Sequence, residues 1–189
     1  MFQVRIHGRG GQGAVTAAEL LSVAAFLEGK HAQAFPSFGP ERSGAPVAAF
    51  CRIDARPIRL HEPVVEPDAV VVQDATLLHA VDVFQGLDPR GFVVLNSVDS
   101  LDGLGLADLV GRLLPSHARV VDASTVARRC LGKPLPNAAL LGALAALTGA
   151  VGLDAVVRAI TERFGGAAGE GNAAAARAAY ELVSGGASC

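Results

Sequence analysis

The stretch Phe2-Gln3-Val4-Arg5-Ile6-His7-Gly8-Arg9-Gly10-Gly11-Gln12-Gly13-Ala14-Val15 decides how the chain is read. Phe2 to His7 alternate and are β-prone, which predicts a short first strand. Four glycines fall within the next six residues. From Ala14 to Glu28, Leu20, Leu21, Ala24 and Leu27 then recur on one helical face. Gly29 is a stop signal for that helix. A strand, a glycine-rich turn and a helix form the first half of a βαβ unit, which places the chain in the α/β class.

The pattern continues outward from there. His31 to Phe35 predicts a second short strand, Pro36 to Pro46 a long loop with three prolines, and Val47 to Ile53 another strand closed by a turn at Asp54 to Pro57. Ala69-Val70-Val71-Val72 and Phe92-Val93-Val94-Leu95 are uninterrupted apolar runs, as expected of buried parallel strands. Arg119 to Asp122 predicts one more. Asp74 is placed to cap a helix running through Leu77, Leu78 and Val81. A further helix is expected from Ser124 to about Arg129. After Pro134 to Pro136 the composition turns helical, with stretches at about Ala138–Leu147, Leu153–Phe164 and Asn172–Val183. Gly165, Gly166 and Gly169 are read as separating the last two. The expected fold is a Rossmann-like sheet flanked by helices, with a helical C-terminal third (about residues 137–185). All of residues 1–189 form a single domain.

Composition removes several classes of function. The 189 residues are 51% hydrophobic and 18% charged, which excludes a disordered chain. The net charge of −2 argues against a nucleic-acid binder driven by phosphate neutralisation, and eight Phe, one Tyr and no Trp argue against a base-stacking platform. The mean hydropathy of +0.39 is spread along the chain. No run reaches the ~20 apolar residues of a membrane span. The first residues also lack a charged segment followed by an apolar one, so a cytoplasmic location is expected. Cys51, Cys130 and Cys189 are too scattered for a CxxC pair, and a cluster held by this chain alone would usually need about four thiolates. The five histidines form no metal-ligand spacing. Ser37 and Ser43 lie in no G-x-S-x-G elbow. Neither a metal site nor a catalytic residue is expected here.

Gly8, Gly10 and Gly13 form a G-x-G-x-x-G pattern in the required context, after a strand and before a helix. Such a turn lets a diphosphate approach the backbone at a helix N-terminus. A tight turn with no ligand is the alternative. A dinucleotide site would also show a carboxylate at the end of the second strand, ~20 residues on. That region reads Ala32-Gln33-Ala34-Phe35-Pro36, without one.

Gly8-Arg9-Gly10-Gly11-Gln12-Gly13, followed by Ala34-Phe35-Pro36-Ser37-Phe38-Gly39-Pro40-Glu41-Arg42-Ser43-Gly44-Ala45-Pro46, resembles the two signature stretches of the gamma subunit of 2-oxoacid:acceptor oxidoreductases, the pyruvate:ferredoxin type among them. Ala32-Gln33 and Pro67-Asp68 fit as well, and the resemblance runs from about Phe2 to Phe164. It implies an α/β chain assembled with alpha and beta subunits that hold thiamine diphosphate, commonly with a ferredoxin-like delta subunit carrying iron–sulfur clusters. None of these cofactors would be held by this chain. The complex would decarboxylate a 2-oxo acid oxidatively and pass the acyl group to coenzyme A. The acid would be pyruvate, a branched-chain acid or an aryl acid such as phenylglyoxylate, and the acceptor ferredoxin, or NAD through a further subunit.

The resemblance also assigns residues. Gly8, Arg9, Gly10, Gly11, Gln12 and Gly13 would form the loop near the coenzyme A phosphates. Arg42, with Ser43 beside it, would supply a phosphate-binding cation, although Glu41-Arg42 stands where single-chain relatives tend to carry two lysines. Asn137 would open a helix and touch coenzyme A, and Asn172 would do so before the last helix. The apolar loop Phe35 to Phe38 suits a partner surface. A stand-alone nucleotide-binding α/β protein and a purely structural assembly chain are the alternative readings.

Overall fold

The computed structural model describes residues 1–37, 44–60 and 62–185. Among them, six strands make one sheet: β1 (Phe2–Arg9), β2 (His31–Pro36), β3 (Pro46–Asp54), β4 (Ala69–Val72), β5 (Phe92–Asn96) and β6 (Ala118–Val121), in the order β2-β3-β1-β4-β5-β6. β1, β4, β5 and β6 pair in parallel, whereas β3 is antiparallel to both β1 and β2. The helices are α1 (Ala14–Leu27), α2 (Ala107–Arg112), α3 (Ala123–Leu131), α4 (Asn137–Thr148), α5 (Leu153–Phe164) and α6 (Gly166–Ser184). None of the described helices is long and apolar enough to cross a membrane.

The α/β class and the helical last third stand as expected. The sheet differs from a dinucleotide-binding fold in one respect: β3 lies between β1 and β2. The end of β2 is therefore two strand spacings, ~10 Å, from the glycine turn on β1. A ribose-holding carboxylate at the usual position would not reach the ligand, which accounts for its absence from Ala32 to Pro36.

Alternation along the strands sorts the side chains into two layers. Val4, Ile6, Cys51, Val71 and Val94 face Leu20, Leu21, Leu140, Leu141, Leu144 and Ile160 of the helices in the main core. Val70, Val72 and Leu95 face the other way, against Leu77 and Val83, in a smaller cluster. Three sequence expectations need correction. After Asp74 the chain makes only a 3-10 turn, Ala75–His79. It stops there because Val83 must fold back into the second core, where it is 1% exposed. α2 was not foreseen; its six residues carry only Leu109 and the following Leu113 into a third small cluster. α6 begins at Gly166 and not at Asn172, so Gly169 lies inside a helix. A Cβ there would stand 3.4 Å from the Thr161 Cα of α5, an ordinary contact.

The second face of the sheet is held by a buried cation. The Arg5 guanidinium donates to the carbonyls of Val64, Val65, Val83 and Gln85, and its Nε donates to His7 Nε2 at 3.1 Å. His7 must then be unprotonated at Nε2. Burial, with the Arg5 charge adding to it, pulls its pKa down to about 4. The native state therefore refuses a proton that the unfolded chain accepts below its ordinary value of ~6.5. The stability tied to neutral His7 is complete above that value and is lost as pH falls toward 4. Wild-type protein should lose about 3 kcal/mol more than His7→Gln between pH 7 and 4, measured by urea unfolding at each pH. Identical pH profiles would contradict this.

Candidate functional site

Ligands of open α/β sheets gather at the carboxyl ends of parallel strands. Here that edge is formed by the ends of β1, β4 and β5, and the N-termini of α1, α3 and α4 meet it. Ser124 at the start of α3 donates its amide to Asn96 Oδ1 (3.1 Å) at the end of β5. Asn137 at the start of α4 lies against Gly13, with Nδ2 2.8 Å from where a Cβ on Gly13 would stand.

The glycine turn has a defined shape. Gly11 and Gly13 adopt φ of +94° and +79°, values that favour glycine. Gly13 is also the residue before α1, and no side chain caps that helix. Ala17 N bonds Gly13 O at 2.9 Å, so the amides before it in the first turn have no intrahelical acceptor. They border a cavity of about 300 Å³ bounded by Arg9, the turn, Ala14 to Thr16 and Val47.

The side chains of the motif brace the turn. Gln12 Oε1 accepts from Arg9 N at 2.7 Å, and Gln12 Nε2 donates to Asp74 Oδ2 at 2.9 Å. Arg9 Nε lies 3.2 Å from the same Asp74 oxygen, and its Nη2 donates to Thr76 Oγ1 at 2.7 Å. Asp74 also accepts from the amide and hydroxyl of Thr76. Burial by itself would raise the Asp74 carboxyl, but the hydrogen bonds from Thr76 and Gln12 and the charge of Arg9 outweigh it, holding the pKa below its ordinary value. Asp74 therefore caps its turn as expected and also ties Arg9 and Gln12 together.

The two signature stretches converge. Gly10 N donates to Ala45 O at 2.9 Å, Gly44 N donates to Gly10 O at 3.2 Å, and Arg9 Nη1 donates to Gly44 O at 3.0 Å. The end of the proline-rich loop is thus fastened to the glycine turn. Arg42 and Ser43 lie outside the described residues. Asn137 is brought to the turn: its Oδ1 accepts from Ala138 N at 2.9 Å, while its Nδ2 faces Gly13. Asn172 is not. It lies within α6, where its Nδ2 donates to Ala168 O at 2.9 Å, and the adjacent Gly171 packs on Cys130 O near the far end of α3. Phe35 is half-buried, its ring 5.2 Å from that of Phe50 with Arg52 above it, while Phe38 lies outside the described residues.

Sequence reading passed over Gln73, Thr76, Asn96 and Ser124. The available signal was a polar residue ending each apolar strand, Gln73 after β4 and Asn96 closing β5. Of the cysteines, Cys51 is buried with its thiol pushed up to about 12, and Cys130 is half-buried.

Residues 3–182 match the family described as pyruvate ferredoxin/flavodoxin oxidoreductase, and the chain belongs to that family. Within it, the match is to gamma-type subunits along nearly the whole length. The chain is 53% identical over 181 residues to the pyruvate/ketoisovalerate oxidoreductases common subunit gamma of Pyrococcus furiosus, covering 96% of each. It is 49% identical over 183 residues to the pyruvate synthase subunit PorC of Methanothermobacter thermautotrophicus, covering 97% of this chain and 96% of the other. The crystal structure of the pyruvate oxidoreductase subunit PORC of Thermotoga maritima superposes with a TM-score of 0.79 at 37% identity, covering 95% of both chains.

Proposed function

We propose that this chain is the gamma subunit of a coenzyme A-acylating 2-oxoacid:acceptor oxidoreductase, and that its glycine turn forms part of the coenzyme A site. The observation that carries the reading is the uncapped first turn of α1 behind Gly13, opening on the cavity beside Arg9 and Val47. Coenzyme A carries a diphosphate and a 3′-phosphate. Exposed helix amides with partial positive charge suit the diphosphate, and Asn137 Nδ2 adds a donor at the same place. Arg42, outside the described residues, is the cation that the family resemblance assigns to a phosphate. The relatives' names support pyruvate or ketoisovalerate over an aryl acid as the substrate.

In this reading alpha and beta subunits hold thiamine diphosphate, and a ferredoxin-like delta subunit holds iron–sulfur clusters. The thiamine diphosphate held by those two subunits would supply the chemistry for decarboxylating the 2-oxo acid. Two electrons leave to the acceptor, and the acyl group passes to the sulfur of coenzyme A. The work of this chain is to fix the phosphate end so that the thiol reaches the acyl group. A stand-alone NAD-binding role is disfavoured by the insertion of β3 between β1 and β2.

The test is reconstitution. The complex containing this chain should reduce its acceptor with pyruvate or ketoisovalerate in a coenzyme A-dependent manner, and the purified chain alone should not. Oxidation of a 2-oxo acid by the isolated chain, or a complex indifferent to coenzyme A, would overturn the proposal.

A further inference from the structure

Directly beneath the glycine turn lies a buried amide that bonds to nothing. Gln73 follows β4 and is 1% exposed, and among the described residues neither its Oε1 nor its Nε2 has a hydrogen-bond partner. Its backbone is fully used: the amide donates to His7 O at 2.8 Å, and the carbonyl accepts from Asn96 Nδ2 at 2.8 Å. The side chain is thereby fixed on the α1 side of the sheet. A Cβ on Gly8 would stand 2.6 Å from Gln73 Oε1 and 3.2 Å from the Ala14 Cβ. The amide thus occupies the corner between the end of β1 and the first residue of α1.

This arrangement is costly for a chain that only needs to pack. A buried unbonded amide is less stable than an apolar side chain of the same volume. A side chain at Gly8 would have to displace the end of Gln73. Leucine or methionine would fill the corner without an orphaned donor and acceptor. The uncapped first turn of α1 begins at the end of the same stretch, where Asn137 Nδ2 faces Gly13. Unmet hydrogen bonding is therefore concentrated around one short piece of backbone, Gly8 to Ala14.

We infer that Gln73 is a positioning residue for the phosphate-bearing ligand of the turn, its side-chain amide bonding the backbone of Gly8 to Ala14 when that backbone closes on the phosphate. Gln73 is too buried to touch the ligand and acts through the turn. The inference rests on the reading that the turn binds coenzyme A.

The experiment uses the assembled complex carrying Gln73→Met or Gln73→Leu, with Gly13→Val in parallel. Each is measured by thermal unfolding and by steady-state kinetics with coenzyme A and the 2-oxo acid varied in turn. The Gln73 variants should unfold at or above the wild-type temperature without coenzyme A, because an orphaned amide has been removed. Their KM for coenzyme A should rise ~10-fold, the loss of about one hydrogen bond, with the 2-oxo acid KM and kcat within ~2-fold of wild type. An unchanged coenzyme A KM in both, while Gly13→Val raises it, would overturn the role of Gln73 alone. If Gly13→Val also leaves it unchanged, the coenzyme A reading of the turn falls with it. A lower unfolding temperature with both KM values raised together would mark Gln73 as structural and likewise overturn the inference.

Discussion

Gly142→Ala is expected to destabilise this protein by about 1–3 kcal/mol, against the intrinsic preference of helices for alanine. α4 and α6 cross so closely that a Cβ at Gly142 would stand 1.9 Å from the backbone oxygen of Ala176. That oxygen cannot rotate away, so the two helices must separate. Alanine gains about 1 kcal/mol over glycine in a helix, which does not offset the displacement. Leu140, Leu141 and Leu144, each 1% exposed, flank the crossing and would lose contacts as it opens. For a chain of this size the unfolding temperature should fall by about 2–12 °C. Gly142→Val should lower it further. A thermal melt in which Gly142→Ala unfolds higher than wild type would contradict this packing.

The second large effect falls on the ligand. Gly13 holds φ of +79°, and a side chain there would meet Asn137 Nδ2 at 2.8 Å. Gly13→Val adds left-handed strain of about 1–2 kcal/mol, and the β-branched side chain pushes Asn137 away from the turn. The amides of α1 and the Asn137 donor then no longer converge. Loss of one or two charge-assisted bonds raises the KM for coenzyme A by about 10–100-fold. The KM for the 2-oxo acid should stay within ~2-fold if, as proposed, its site belongs to other subunits. Steady-state kinetics of the assembled complex separate the two. A rise confined to the 2-oxo acid would place the turn at the thiamine site instead.

Much of this was legible in the sequence because strong local signals happened to agree with tertiary packing. The runs Ala69–Val72 and Phe92–Leu95 are apolar on both faces, as central parallel strands must be, and they are β4 and β5. α5 falls at Leu153–Phe164, as its spacing predicts. The insertion of β3 between β1 and β2 was not legible, because strand order follows from long-range pairing that periodicity does not encode. The start of α6 was hidden by Gly165, Gly166 and Gly169. Gly166 opens the helix and Gly169 lies within it, so neither acts as a break. At the site, the motif located the turn but not the contacts that hold it. A side chain at Gly8 would meet the end of Gln73, and Gly13 is both left-handed and pressed by Asn137. Arg9 and Gln12 brace the turn through Asp74, a residue 62 positions from Gln12. Such partners appear only when the chain is folded.

The most direct measurement is the structure of the assembled complex with coenzyme A bound. The diphosphate oxygens should lie within ~3.5 Å of the first-turn amides of α1, with Asn137 Nδ2 beside them. Coenzyme A seated elsewhere, with the amides of Ala14 and Val15 turned to solvent or covered by a partner subunit, would contradict the assignment of this turn.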